Sequence, residues 1–196
     1  AIISAAREVG DAALGQWRHL RRGGELDQWS KADQSLVCEV DIETDRRLKA
    51  ILGAIDPEAG WLSEETADKP DRLACQRIWC VDPIDGTRDF LRGREGWAVS
   101  IALIDAGLPV FGVLYAPARD ELWLGQAGGG ATLNGLPITA GARTALPGAR
   151  VPATSLPSVD SDLTLVHPPN SLALRLAMAA NDDAELVAPL RWGLDW

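Results

Sequence analysis

One stretch constrains this chain more than any other: Ile78-Trp79-Cys80-Val81-Asp82-Pro83-Ile84-Asp85-Gly86-Thr87. The run over 77–82 is short, mostly apolar and broken by Pro83, the pattern of a buried strand that delivers a residue at its carboxyl end. An acid placed after Trp79-Cys80-Val81 is held partly out of water and needs a partner. Pro83 removes a backbone donor and bends the chain, so Asp82 and Asp85 can face one point while the Ile84 carbonyl adds a third oxygen. Gly86 permits a tight turn, and a helix starting here would offer the N–H groups of Gly86 and Thr87 to an anion.

The rest of the chain supplies elements to pack around that strand. Ile2, Ala6, Val9, Ala13, Trp17 and Leu20 form one helical stripe over 1–22, stopped by Gly23-Gly24. A second helix is expected after Thr44, with Leu48, Ile51, Leu52 and Ile55 on one face and Asp56-Pro57 ending it; Thr44 or a neighbouring acid would cap its start. Strand-like runs at 99–104, 110–115 and 121–124, separated by turn residues, predict an antiparallel meander, and Asn134-Gly135 marks a further turn. The stretch 140–162 reads as a connection. A strand over 163–166, a helix over 171–180 and a short strand near 184–187 follow it. Together these predict a layered α+β fold rather than an alternating doubly wound sheet. The expected division is a domain over 1–140 that carries the site and the start of a second, α/β domain over 141–196.

Charge and cysteine usage narrow the function. The 28 acidic residues exceed the 19 basic ones for a formal charge of −9, and no basic run offsets this, which argues against a nucleic-acid polymer as partner. No apolar run is long enough to span a membrane. Three cysteines, Cys38, Cys75 and Cys80, match no CxxC pair and have only His19 and His167 to join them, which argues against zinc and a disulfide framework and fits a reducing cytoplasm. Carboxylates cluster three times: Asp41, Glu43 and Asp45; Glu64 and Glu65 after Ser63; Asp82 and Asp85. Hard oxygen ligands suit magnesium, manganese or calcium. Alternation along a strand would let one of Glu64 and Glu65 reach the common point and leave the other structural.

Other chemistries fit less well. A D-x-D-G-T phosphatase needs an aspartate nucleophile where Pro83 stands. A helix-loop-helix calcium loop beginning at Asp41 would have Arg46 where glycine is required and Leu52 where its glutamate belongs. Gly125, Gly128, Gly129 and Gly130 lack a following Lys-Ser pair and read as a hairpin loop.

The run over 78–90 resembles the signature of the inositol monophosphatase family, W-x-x-D-P-[IL]-D-G-T-x-x-F. Asp41-Ile42-Glu43-Thr44-Asp45 is similar to that family's upstream D-x-x-T-D element, and Leu62-Ser63-Glu64-Glu65 to its [GS]-E-E element. The resemblance implies an α-β-α-β-α sandwich and a metal-dependent phosphomonoesterase. It further implies a cytoplasmic homodimer sensitive to lithium, with roughly two or three magnesium ions per site and manganese as a substitute. Carried over, Glu64, Asp82, the Ile84 carbonyl and Asp85 would be metal ligands. Asp45 and Thr87 would orient and deprotonate the attacking water, and Glu64, Ile84, Asp85, Gly86 and Thr87 would surround the phosphate. The substrate would be a small phosphorylated metabolite such as an inositol monophosphate or adenosine 3′,5′-bisphosphate, the phrasing around Leu62 and Ile101 being nearest the bisphosphate nucleotidase branch. The family's further ligand follows a tryptophan as W-D, whereas here Asp195 precedes Trp196; a continuation beyond Trp196 is therefore expected. The competing reading is a phosphate-ligand binding or scaffold protein that shares the fold.

Overall fold

The computed structural model describes residues 1–31, 35–156, 158 and 161–187. Its centre is a seven-stranded sheet built from β3 (Gly60–Ser63), β4 (Arg77–Asp85), β5 (Ala98–Asp105), β6 (Leu108–Ala116), β7 (Glu121–Gln126), β8 (Gly130–Leu133) and β9 (Leu136–Pro137), in that spatial order. β3 and β4 run parallel and each later neighbour pairs antiparallel, so the meander expected from the turn residues is present and extends through β9. The glycines at 128–130 turn the chain between β7 and β8, as a hairpin loop should.

Alternation along the strands feeds two cores. Val81, Val99, Ile101, Val113 and Leu122 meet Ala5, Ala6 and Val9 of α1 (Ile2–Arg21) and Leu48 and Leu52 of α2 (Glu39–Ile55). The neighbours Ala98, Leu114 and Trp123 point the other way and pack on Leu174 of α4 (Leu172–Ala180). A helical layer thus covers each face of the sheet, which is the α+β arrangement predicted. Gly10 lets α1 lie close, because a β-carbon there would fall 2.5 Å from the Tyr115 ring. The Tyr115 hydroxyl in turn donates to Asp11 at 2.7 Å and fastens α1 to β6.

Two local expectations near Asp82 and Asp85 or in the helix beside them are corrected. The second helix begins at Glu39 rather than after Thr44, because Cys38 takes the N-cap place and Asp41, at the third helical position, accepts the Cys38 N–H at 2.9 Å. Asp41, Glu43 and Asp45 therefore sit inside α2 rather than ahead of it. Pro83 does not end β4; the strand continues to Asp85 through a register shift between Asp82 and Asp85, where the missing proline N–H costs no ladder bond.

A hairpin of β1 (Gln28–Ser30) and β2 (Leu36–Cys38) leads into α2. Farther on, β10 (Arg150–Pro152) and β11 (Thr164–Val166) form a separate parallel pair. No strand forms over 184–187; the N–H groups of Glu185 and Leu186 instead donate to the Arg150 carbonyl at 3.0 and 3.1 Å. Asp195 and Trp196 lie outside the described residues. No described helix is long and apolar enough to cross a membrane.

Candidate active site

The end of β4 turns into α3 (Thr87–Leu91) at Gly86, whose φ of +96° is a conformation that glycine adopts without strain. A β-carbon at Gly86 would also meet the Gly96 carbonyl at 2.6 Å and the Ser171 nitrogen at 2.8 Å. That close approach brings the start of α4 against the turn. Asp89, buried in α3, accepts the Asn170 N–H at 3.0 Å, and the Ser171 N–H donates to the Gly96 carbonyl at 2.9 Å. Asp85 then receives the first turn of α4: Ser171 Oγ at 2.6 Å, the Ala173 N–H at 2.7 Å and the Leu172 N–H at 3.2 Å. A carboxylate at a helix N-terminus is favoured by the exposed N–H groups and by the dipole.

Thr87 sits at the opposite rim of the turn. Its hydroxyl lies 2.9 Å from Asp41 Oδ1 and 3.0 Å from the Ile84 carbonyl. The expected pairing of Thr87 with Asp45 is not what forms. Asp45 is one helical turn farther along α2, and its carboxylate is taken by the hydroxyls of Ser63 and Thr66. The carboxylate that meets Thr87 is Asp41, and burial pushes its carboxyl above the usual range. The sequence carried only a weak sign of this: Cys38 and Asp41 stand three apart as the members of a capping box do, but with cysteine and aspartate where serine or threonine and glutamate or glutamine are usual.

The remaining acids gather around one cavity of about 950 Å³ lined by Lys31, Glu64, Glu65, Asp82, Asp85 and Leu172, among others. Burial, then the charges of Asp85 and Glu64, hold the Asp82 carboxyl well above its ordinary range, and Asp82 shares a hydrogen bond with Glu64. Burial raises Asp85 as well, against the donors from α4 that favour its charged form. Both glutamates point to Lys31, whose ammonium lies 3.1 Å from Glu64 and 2.7 Å from Glu65. The Glu65 side chain is only 3 % exposed. Burial lifts its carboxyl to about 7 although the neighbouring ammonium pulls the other way. Glu64 and Glu65 escape the strand alternation because β3 ends at Ser63, so their side chains are no longer bound to opposite faces.

Among the described residues no three His, Cys, Asp or Glu side chains already form a ligand shell. The chemistry of the donors nonetheless fits a hard divalent cation: Glu64, Asp82, Asp85 and the Ile84 carbonyl offer oxygen alone, and carboxylates that raise one another's proton affinity are short of positive charge. Cys80 lines the same cavity, while Trp97 and Trp123 are core. Arg88 is exposed.

The sequence pattern that defines the inositol monophosphatase family matches residues 1–175. This chain belongs to that family. Among its curated relatives is the 3′(2′),5′-bisphosphate nucleotidase CysQ of Escherichia coli K12, 36 % identical over 130 residues, covering 65 % of this chain and 51 % of that protein. An inositol-1-monophosphatase of Rhizobium meliloti is 38 % identical over 116 residues, covering 59 % of this chain and 43 % of that protein. The chain spans about half the length of such relatives. Among solved structures, the extragenic suppressor protein SuhB of Bartonella henselae superposes with a TM-score of 0.81 at 28 % identity, covering 93 % of this chain and 74 % of that one.

Proposed function

We propose that the chain carries the catalytic centre of a magnesium-dependent phosphomonoesterase, and that attack on phosphorus is by water rather than by a protein nucleophile. The observation that carries the reading is the Thr87 hydroxyl, two residues past Asp85 and held at 2.9 Å from Asp41 Oδ1. A threonine that donates its proton to a carboxylate turns its lone pairs outward, ready to accept a proton from water. The water proton passes to Thr87 Oγ1 as the threonine proton passes to Asp41 Oδ1, and burial of Asp41 increases its readiness to take it. With its own proton directed at Asp41, Thr87 also leaves the Ile84 carbonyl free as a ligand.

On this reading Glu64, Asp82, Asp85 and the Ile84 carbonyl hold the cations, and the N–H groups of Gly86 and Thr87, in the unpaired first turn of α3, hold the phosphate. Magnesium bound there supplies positive charge to the phosphoryl oxygens and the leaving group. The water oxygen bonds to phosphorus, the ester P–O bond breaks, and the alcohol leaves with a proton from solvent. Asp45 serves the loop that carries Glu64 rather than the water. The substrate is a small phosphorylated alcohol, adenosine 3′,5′-bisphosphate or an inositol monophosphate; the names of the nucleotidase and monophosphatase relatives support this class. The same reading makes the protein a lithium-sensitive cytoplasmic homodimer in which residues from 141 onward begin a second unit.

A panel of phosphomonoesters, including those two, assayed with and without magnesium tests the proposal. Magnesium-dependent release of phosphate from at least one is the expected result. Tight binding without hydrolysis would replace the enzyme by the scaffold reading.

A further inference from the structure

Cys38 occupies the N-cap of α2, where serine, threonine, aspartate and asparagine are the usual residues. It is fully buried. Its Sγ lies 2.8 Å from Asp41 Oδ2, and its backbone N–H donates to the same oxygen at 2.9 Å. The other carboxylate oxygen, Oδ1, is the one that meets Thr87. Burial and the Asp41 charge push the thiol up to about 12, so it keeps its proton at any working pH and acts as a donor. It is accordingly an inert thiol in redox terms, since reactivity belongs to the thiolate.

We propose that Cys38 is a positioning residue for the reaction: its S–H and its N–H together hold Asp41 Oδ2, which fixes the plane of the carboxylate and leaves Oδ1 directed at the Thr87 hydroxyl. The catalytic half of this statement rests on the function proposed above; the thiol-to-carboxylate bond does not. A carboxylate with a single donor on one oxygen can swing about its Cβ–Cγ bond, and the Thr87 hydroxyl then loses the acceptor that turns its lone pairs outward. Serine carries an O–H donor on the same one-carbon stem, directed at Asp41 Oδ2 as the S–H is.

The test compares the wild-type chain with Cys38→Ala and Cys38→Ser. Cys38→Ala is expected to lower kcat about tenfold with KM within about twofold, because the lost bond acts through Asp41 and not on bound substrate. Cys38→Ser is expected to restore kcat to within about threefold of wild type. Equal losses in both variants, or a lower melting temperature of Cys38→Ala with unchanged kcat, would reduce Cys38 to a helix cap and overturn the proposal. The S–H stretching band in the Raman spectrum, assigned to Cys38 by its loss in Cys38→Ser, separates this failure from failure of the functional reading. A band shifted to the low frequency of a donating thiol is expected whether or not the chain hydrolyses any ester. A band at the frequency of a free thiol overturns the positioning role outright, and a shifted band in a chain without hydrolysis overturns the functional reading and with it the catalytic half.

Discussion

Asp41 and Asp45 lie one turn apart on α2, both are buried, and each carboxylate accepts hydrogen bonds at both oxygens, yet they are tied to different parts of the molecule. Asp41 joins the cap of its own helix to the turn at Thr87. Asp45 joins the middle of the helix to the loop after β3, through Ser63 and Thr66. A buried carboxylate is therefore not assigned to chemistry by its burial; what matters is whether one of its donors borders the place where a substrate can bind. Thr87 opens the turn that follows Asp85, while Ser63 and Thr66 spend their hydroxyls holding the loop that presents Glu64.

Substitutions that separate the two carboxylates test the difference. The largest effect is expected outside the pair: Asp85→Asn should abolish turnover while circular dichroism shows a folded chain, and hydrolysis at the normal rate would remove Asp85 from the ligand set. Asp41→Asn should lower kcat about a hundredfold or more, the range of a lost general base, and melt as wild type does. Asp45→Ala should do the reverse. Leaving two hydroxyls without their charged acceptor should cost about 2 kcal/mol in a urea titration while kcat stays within about fivefold. Collapse of turnover at Asp45 with stability unmoved would invert the comparison.

The smallest effect belongs to the far end of α1. Burial and the bond to Asp11 raise the Tyr115 hydroxyl from its ordinary 10.0 to about 12, so the folded state favours the protonated form. The contribution is fully present below pH 10 and fades as pH rises through 12. Tyr115→Phe should therefore melt a little below wild type up to pH 10, and the two should converge near pH 12; a gap that persisted there would assign the loss to packing.

The sequence disclosed the centre of the fold because its signals are local. An apolar strand ending in Asp-Pro-Ile-Asp-Gly-Thr, three alternating runs divided by turn residues, and a helical stripe each depend on neighbours within a few positions. The identity of the carboxylate facing Thr87 depends instead on where α2 begins. Cysteine is a weak N-cap signal, and the match of Asp41-Ile42-Glu43-Thr44-Asp45 to the D-x-x-T-D element placed the role on Asp45, one turn past the carboxylate that meets Thr87. Lys31 gave no pattern at all: its meeting with Glu64 and Glu65 is made across 33 and 34 residues of chain. The attachment of Asp85 to Ser171 spans 86 residues, and nothing near either end announces it.

That last attachment reaches beyond the turn itself. α4 begins on donors held by Asp85, and the packing of Leu174 against the far face of the sheet follows from where α4 begins. Whatever draws electron density from this one carboxylate, whether a proton, an ion or a substitution, also loosens the grip on the opening turn of the helix. Whatever binds Asp85 and the order of the opening turn of α4 are consequently coupled through the same pair of oxygens, and hydrogen exchange at Leu172 and Ala173 would record a change at Asp85 without any substrate being followed.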